Sequence, residues 1–280
     1  MAFTHATETA FQKGQLGVEV DWGTAVPATI ALGSINIDPA MLMETNTFTP
    51  KGITLPGVAS IGMEETDLTF NGQPSYEDLQ YFLADFISDA QTDPLAYTVE
   101  AGGLQVPGAV VTDITLKGDM KVVEVSGKMK GKKATVAVAT PGLVVATQTP
   151  LLAPPVEIEI AATPLTKAFA WEFSLANMWG GKGYIGDDTL GTIMQKAATG
   201  KFSVLVEADD TNMALLNNRD TQEITVLIPN GLTHSLLLTF DAKIAQPDPQ
   251  SDNDGIYAIR LNYNIMNKAT KAVEIAFTIP

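Results

Sequence analysis

Along much of this chain apolar and polar residues alternate one for one, and that period decides what it can fold into. Trp171, Phe173 and Leu175 point one way, with Glu172 and Ser174 between them. Leu236, Leu238, Phe240, Ala242 and Ile244 oppose Ser235, Thr239, Asp241 and Lys243. Tyr257, Ile259, Leu261, Tyr263 and Ile265 oppose Arg260, Asn262 and Asn264. The same alternation recurs over 156–160 and 273–279. A period of two belongs to a pleated strand with one face in a core and the other in water. Further strands are expected at 32–37, 66–70, 111–117, 121–126, 133–139, 202–207 and 222–228. The expectation is a mainly β protein, an antiparallel β-sandwich or barrel.

Turn residues punctuate these segments. Lys117-Gly118-Asp119, Lys130-Gly131-Lys132 and Pro229-Asn230-Gly231 read as hairpin turns, since glycine supplies the positive φ such turns need. Gln246–Gly255 reads as a longer loop. One flanking helix is expected over about 75–88. Ser75 is its N-cap, Asp78 completes a variant capping box, and Tyr76, Leu79, Phe82, Leu83, Phe86 and Ile87 form its apolar stripe. A shorter helix is expected over Thr189–Ala198, stopped by Gly200. The chain reads as a single unit over 1–280, and Thr149–Pro155, with three prolines, is the candidate boundary between 1–150 and 151–280. No repeat of 20–50 residues is visible; a diverged duplication of the two halves stays open.

Composition narrows the chemistry. There is no cysteine, which removes disulfides, thiolate metal sites and thiol catalysis. His5 and His234 are the only histidines, too few for a multi-histidine metal site. Net charge is −15, so binding DNA by neutralising its phosphates is not expected. The first hundred residues carry two lysines against fourteen acids, whereas Lys117–Lys133 holds six lysines against Asp119 and Glu124. The segment 1–22 has no basic and apolar leader pattern, and no apolar run is long enough to span a membrane as a helix.

No motif rises to a catalytic set, and the chain is read as a non-enzyme without cofactor or metal. Gly181-Lys182-Gly183-Tyr184-Ile185-Gly186 matches G-x-G-x-x-G, with Glu207 about twenty residues on. The strand before it alternates, however, where a dinucleotide site follows a wholly apolar parallel strand. Ser251-Asp252-Asn253-Asp254-Gly255 has calcium-loop character but lacks the closing glutamate, so it reads as a polar turn. Glu64/Glu65 and Asp209/Asp210 are adjacent acids, which point to opposite faces on a strand. His234 has no triad partners in sequence, and Trp22, Trp171 and Trp179 read as core or interface anchors.

Four segments, in order, resemble the tail tube (major tail) proteins of long-tailed bacteriophages. Gly17-Val18-Glu19 with Gly23-Thr24 and Ala28 is similar to that family's opening. Asn71–Tyr76 leading into Leu79–Ile87 resembles its helix, and Val122–Gly131 its central hairpin. Asp252–Gly255 before a long alternating strand resembles its penultimate turn. The resemblance implies a structural virion protein, made in the bacterial cytoplasm, that assembles with itself into rings. These rings stack into a hollow tube that passes DNA without specific binding, and hairpins of all subunits join in one barrel. Rings of six are implied, or of three where the subunit is internally duplicated. A lumen of net negative charge would repel DNA. Other tail proteins are the implied further partners.

Two sites follow from that reading. Asp38–Pro56 lacks clear periodicity yet is rich in apolar residues; Met41, Leu42, Met43, Phe48, Ile53 and Leu55 are expected to form a ring-stacking loop. Lys128, Lys130, Lys132 and Lys133 are expected at a subunit interface, facing the acidic first hundred residues of a neighbour. The other readings are a non-polymerising β-module for capsid decoration or for receptor or carbohydrate binding, and a carbohydrate-active enzyme using paired acids.

Overall fold

A computed structural model describes residues 14–48, 58–83, 94–153, 155–184, 187–231, 233–245, 251–253, 255–266 and 273–279. For 43–48, 58–63 and 251–253 only the backbone is described. Strands hold 59% of the described residues, and the sheets are sandwich-like and do not close into a barrel.

The first half opens with β1 (Gln15–Val18) and β2 (Ile30–Ala31), followed by a long hairpin of β3 (Ile35–Phe48) and β4 (Val58–Gly72). Then come α1 (Tyr76–Leu83), β5 (Tyr97–Ala101), β6 (Leu104–Gly118), β7 (Val123–Gly131) and β8 (Thr135–Val136). β3, β4, β7 and the C-terminal part of β6 pair in that order as a front sheet. β2, β1, β5, the N-terminal part of β6 and β8 form a back sheet. β6 is shared, and its register shifts between Val111 and Asp113 as it passes from one sheet to the other. Leu16, Ile35, Leu68, Phe70, Val99, Ile114, Leu116 and Met129 are buried in this half.

The second half repeats this plan. It comprises β9 (Glu157–Ile160), β10 (Thr163–Pro164), β11 (Ala168–Ala176), a small hairpin of β12 (Trp179–Lys182) and β13 (Thr192–Gln195), and β14 (Thr199–Glu207). α2 (Asp210–Leu215), β15 (Thr221–Asn230), β16 (His234–Ile244), β17 (Ser251–Asn253), β18 (Ile256–Met266) and β19 (Glu274–Thr278) complete it. Each pairing of the first half has its counterpart here. β3–β4–β7–β6 is answered by β11–β14–β18–β16, and β2–β1–β5–β6 by β10–β9–β15–β16. β6–β8 is answered by β16–β19. β12–β13 is an insertion within the second long hairpin, and β17 extends the line of β16 beside β18. The chain is thus two copies of one topology, which the sequence conceals.

The pairing that joins the two halves has no counterpart among the described residues. β6 joins β11, with Gly118 opposite Trp171, Lys117 opposite Glu172, Leu116 opposite Phe173 and Ile114 opposite Leu175. It welds the two front sheets into a continuous antiparallel surface. Matching the helix N-caps, Ser75 and Asp209, aligns the repeats residue by residue: both accept the N–H three residues on. Phe70 then falls on Val204 and Leu68 on Phe202, keeping the buried face in phase. Through their cross-strand partners, Ile37, Pro39 and Met41 correspond to Trp171, Phe173 and Leu175.

Several expectations are corrected. Residues 38–48 are strand, not loop: β3 pairs with β4 past the stretch of β4 that β7 joins, and the adjacent Met41 and Leu42 are both exposed, so apolar residues there do not alternate. Lys130-Gly131-Lys132 is no turn. Gly131 pairs with Thr66 inside β7, and a Cβ there would sit 2.5 Å from Val106 Cγ1, so the glycine permits close packing. The helix expected at 189–198 is replaced by β13; Thr192 and Ile193 suit a strand, and β12 supplies its partner. The loop expected over 246–255 contains β17, while 246–250 lie outside the described residues. α1 is described to Leu83, so Phe86 and Ile87 lie outside. Asp78 does not close a capping box; it accepts from the N–H groups of Gly33 and Ser34 at 2.8 and 2.6 Å, tying the helix to the start of β3.

Candidate functional site

The front sheet presents a polar face built by the alternation itself. Where Leu116, Val125, Phe173, Phe202, Leu261 and Tyr263 point into the core, the residues between them point out. These are Thr69, Asn71, Thr115, Ser126, Ser174, Ser203, Asn262 and Asn264, with charged residues among them. Lys117 lies across from Glu124 on one side and Glu172 on the other. Arg260 donates to the Ser203 hydroxyl at 3.3 Å, and Lys201 is exposed beside it. Charges of both signs share this face. Cross-strand neighbours of opposite sign neutralise each other, and hydroxyls and amides cover the rest.

The basic cluster has partners in its own chain. Lys130 pairs with Glu65 at 2.6 Å and Lys133 with Glu64 at 2.8 Å. The Lys132 ammonium lies 4.3 Å from the centre of the Trp22 ring. Only Lys128 projects exposed from the sheet, in register between Thr69 and Asp113. Lys130 and Lys133 thus meet acids of the first hundred residues within their own molecule. The β4–β7 pairing forces it, because it brings Glu64 and Glu65 alongside the end of β7.

Of the stacking residues, Met41 and Leu42 are exposed, at 56% and 42%. Met43 and Phe48 lie on the described backbone of β3, and Ile53 and Leu55 lie outside the described residues. The remaining motifs resolve into structure. Gly181 and Lys182 belong to β12, which pairs with β13 and does not lead into a helix. Glu19, from the opening motif, is buried; its carboxylate accepts from Gly23 N, Thr98 Oγ1 and Gly108 N at 2.6, 2.7 and 2.8 Å. That residue ties the β1–β2 connection to the back sheet. Trp171 lies against Gly118 at the junction, and Trp179 is buried at the base of the inserted hairpin. Asp209 caps α2, whereas Asp210 lies in its first turn, so the two acids diverge. Among the described residues no group of three His, Asp or Glu side chains is placed to hold a metal ion.

His234 and Glu77 link the halves. α1, from the first repeat, packs on β16 and β19 of the second. The Tyr76 hydroxyl donates to Ile228 O at 2.9 Å, and burial, with Glu77 beside it, pushes its pKa up to about 12, so it stays a donor. Glu77 Oε2 accepts from Thr149 N at 2.8 Å, and Oε1 lies 3.4 Å from His234 Nε2. Burial pushes the Glu77 carboxyl up, but the Thr149 hydrogen bonds and the His234 ring more than offset it and leave it below the usual carboxylate range.

Sequence reasoning missed the free edges. Among the described residues β3 pairs only with β4, and β17 only with β18. They are the two ends of the continuous front sheet. No helix among the described residues is long and apolar enough to cross a membrane. No protein-family model matches the chain, and no curated protein matches it.

Proposed function

We propose that this protein is the structural subunit of a hollow tube, the tail tube of a long-tailed bacteriophage, assembled from stacked rings of identical chains. The observation that carries the reading is the repetition of one four-stranded unit along a single sheet whose two outer edges stay unpaired among the described residues. An unpaired antiparallel edge invites another strand, and a ring removes every such edge at once. The resemblance of the opening, helix, hairpin and final-turn segments implies a wall of six such units. A chain holding two units fills that wall with three copies.

The polar face suits a lumen through which a polyanion moves. Its hydroxyls, amides and mutually neutralising charges offer phosphate no sustained positive field, so no contact along the path binds tightly. The β3–β4 hairpin extends beyond the sheet and carries Met41 and Leu42 into solvent, where the next ring would cover them. No step of bond-making chemistry is assigned, and the chain is read as a non-enzyme of the virion.

Negative-stain microscopy of the concentrated protein tests this directly. Hollow tubes, with mass per ring equal to three chains, are the expected result. A protein that stays monomeric to millimolar concentration across salt and pH rules the reading out.

A further inference from the structure

We propose that a second copy of this chain docks head-to-tail by reproducing the junction that already joins its own two repeats. The β17 edge and α2 of one copy meet the β3 edge and the β8 face of the next. This rests on the self-assembly reading and adds to it the surfaces and the register.

The internal junction has two parts. β6 of the first repeat pairs with β11 of the second. On the other layer, α1 of the first repeat covers β16 and β19 of the second. Each part has an unmatched counterpart at the two ends of the chain. β3 stands where β11 stands, yet lacks a strand on its outer side among the described residues. β17 lies one repeat on from the junction segment of β6 and pairs with β18 alone among those residues.

The back layer agrees independently. Ile275 of β19 pairs with Leu238, and Val136 of β8 pairs with Leu104, the corresponding position. Ile275 is 6% exposed on the strand that α1 packs against, whereas Val136 is 89% exposed and Val138 92%. The helix able to cover them in the next copy is α2, whose Thr211 and Ala214 are exposed at the positions of Glu77 and Gln80. Met41, likewise, is exposed where its counterpart Leu175 is 2% exposed against a neighbouring strand. In both layers an apolar residue is buried in the repeat that has a neighbour and bare in the repeat that lacks one.

The register follows from the repeat. Val123 pairs with Gly118 and Tyr257 with Asp252 at corresponding places, so Asp252 takes the position of Gly118 and Ser251 that of Lys117. Trp171 and Glu172 correspond to Ile37 and Asp38. Asp252 of one copy therefore lies opposite Ile37 of the next, and Ser251 opposite Asp38. The contact is heterologous, so repeated application generates a ring when the rotation closes.

Because the chain has no cysteine, engineered pairs report contacts without background. The double variant Asp38→Cys with Ser251→Cys, oxidised at assembly concentration, is expected to give chain-to-chain disulfides up to the full ring. Each single variant is expected to give none. Val136→Asp, at a bare position, is expected to melt as wild type while raising the concentration for half-assembly about tenfold or more. A disulfide dimer of Asp38→Cys alone would reveal a two-fold β3–β3 contact and overturn the proposal. Rings that form with no cross-link in the double variant, or unchanged by Val136→Asp, overturn this junction and leave the tube reading standing. A wild-type chain that stays monomeric overturns both.

Discussion

The two repeats share a strand order but not a surface. In the second, where β6 lies along one edge and α1 packs on the back layer, Phe173 and Ile275 are buried. In the first, the matching Pro39 is half-buried and Val136 lies bare. The same architectural position is core in one half and surface in the other. These positions are buried in the repeat that has a neighbour and more exposed in the repeat that lacks one. The hairpins diverge in the same sense. β3–β4 runs on past its sheet, whereas the corresponding β11–β14 hairpin carries β12–β13, which packs against β6 and β7.

Truncation at matched positions in the isolated chain puts this contrast to its hardest test. Phe173→Ala should cost ~3–5 kcal/mol, as for a fully buried aromatic, and Ile275→Ala ~2–5 kcal/mol. Val136→Ala should stay within ~0.5 kcal/mol of wild type, as is usual for an exposed position. Chemical denaturation of dilute protein measures all three. Similar costs at Ile275 and Val136 would show that the repeats do not differ as described.

Next is the polar link between repeats. Glu77→Gln should cost ~1–3 kcal/mol at neutral pH, since the Thr149 and His234 groups lose a charged acceptor. The folded carboxyl lies below its ordinary value, so its contribution is complete above the unfolded value, near ~4.3, and disappears as pH falls through the lower folded value. Melting curves of wild type and variant should run parallel above about pH 5.5 and converge in acid. A difference that persists unchanged at pH 2 would remove the carboxylate from the link.

Helix capping checks the alignment of the repeats itself. Ser75→Ala and Asp209→Ala should each cost ~1 kcal/mol, because each side chain accepts the N–H three residues on. The smallest effect belongs to the β9–β10 turn. Ala161 and Ala162 both have positive φ, 51° and 57°, between paired Ile160 and Thr163. The double substitution Ala161→Asn with Ala162→Gly should stabilise by ~0.5–1 kcal/mol, read as a higher denaturation midpoint. The first repeat has no such tight turn between β1 and β2, so no equivalent exchange exists there.

The strands with one wet face are legible in the sequence without further help. β11, β15, β16, β18 and β19 show in the alternation of Trp171–Leu175, 222–228, Leu236–Ile244, Tyr257–Ile265 and Val273–Ile279, because a strand covered on one side must alternate. Ser75 and the buried stripe Tyr76, Leu79, Phe82 and Leu83 of α1 are legible in the same way. β3 beyond Asp38 is not legible, since its apolar residues, Met41 and Leu42 among them, stand side by side and show no period of two. β12, β13 and α2 were illegible because each is too short to outweigh its tertiary contacts. The duplication emerges only from the strand pairings. Strand pairing constrains only which face is apolar, so Phe202 can match Leu68 and Trp171 can match Ile37 with no identity retained. The open edges, too, exist only in three dimensions. An edge is a strand that lacks a neighbour, and no residue in β3 or β17 records whether a neighbour is there.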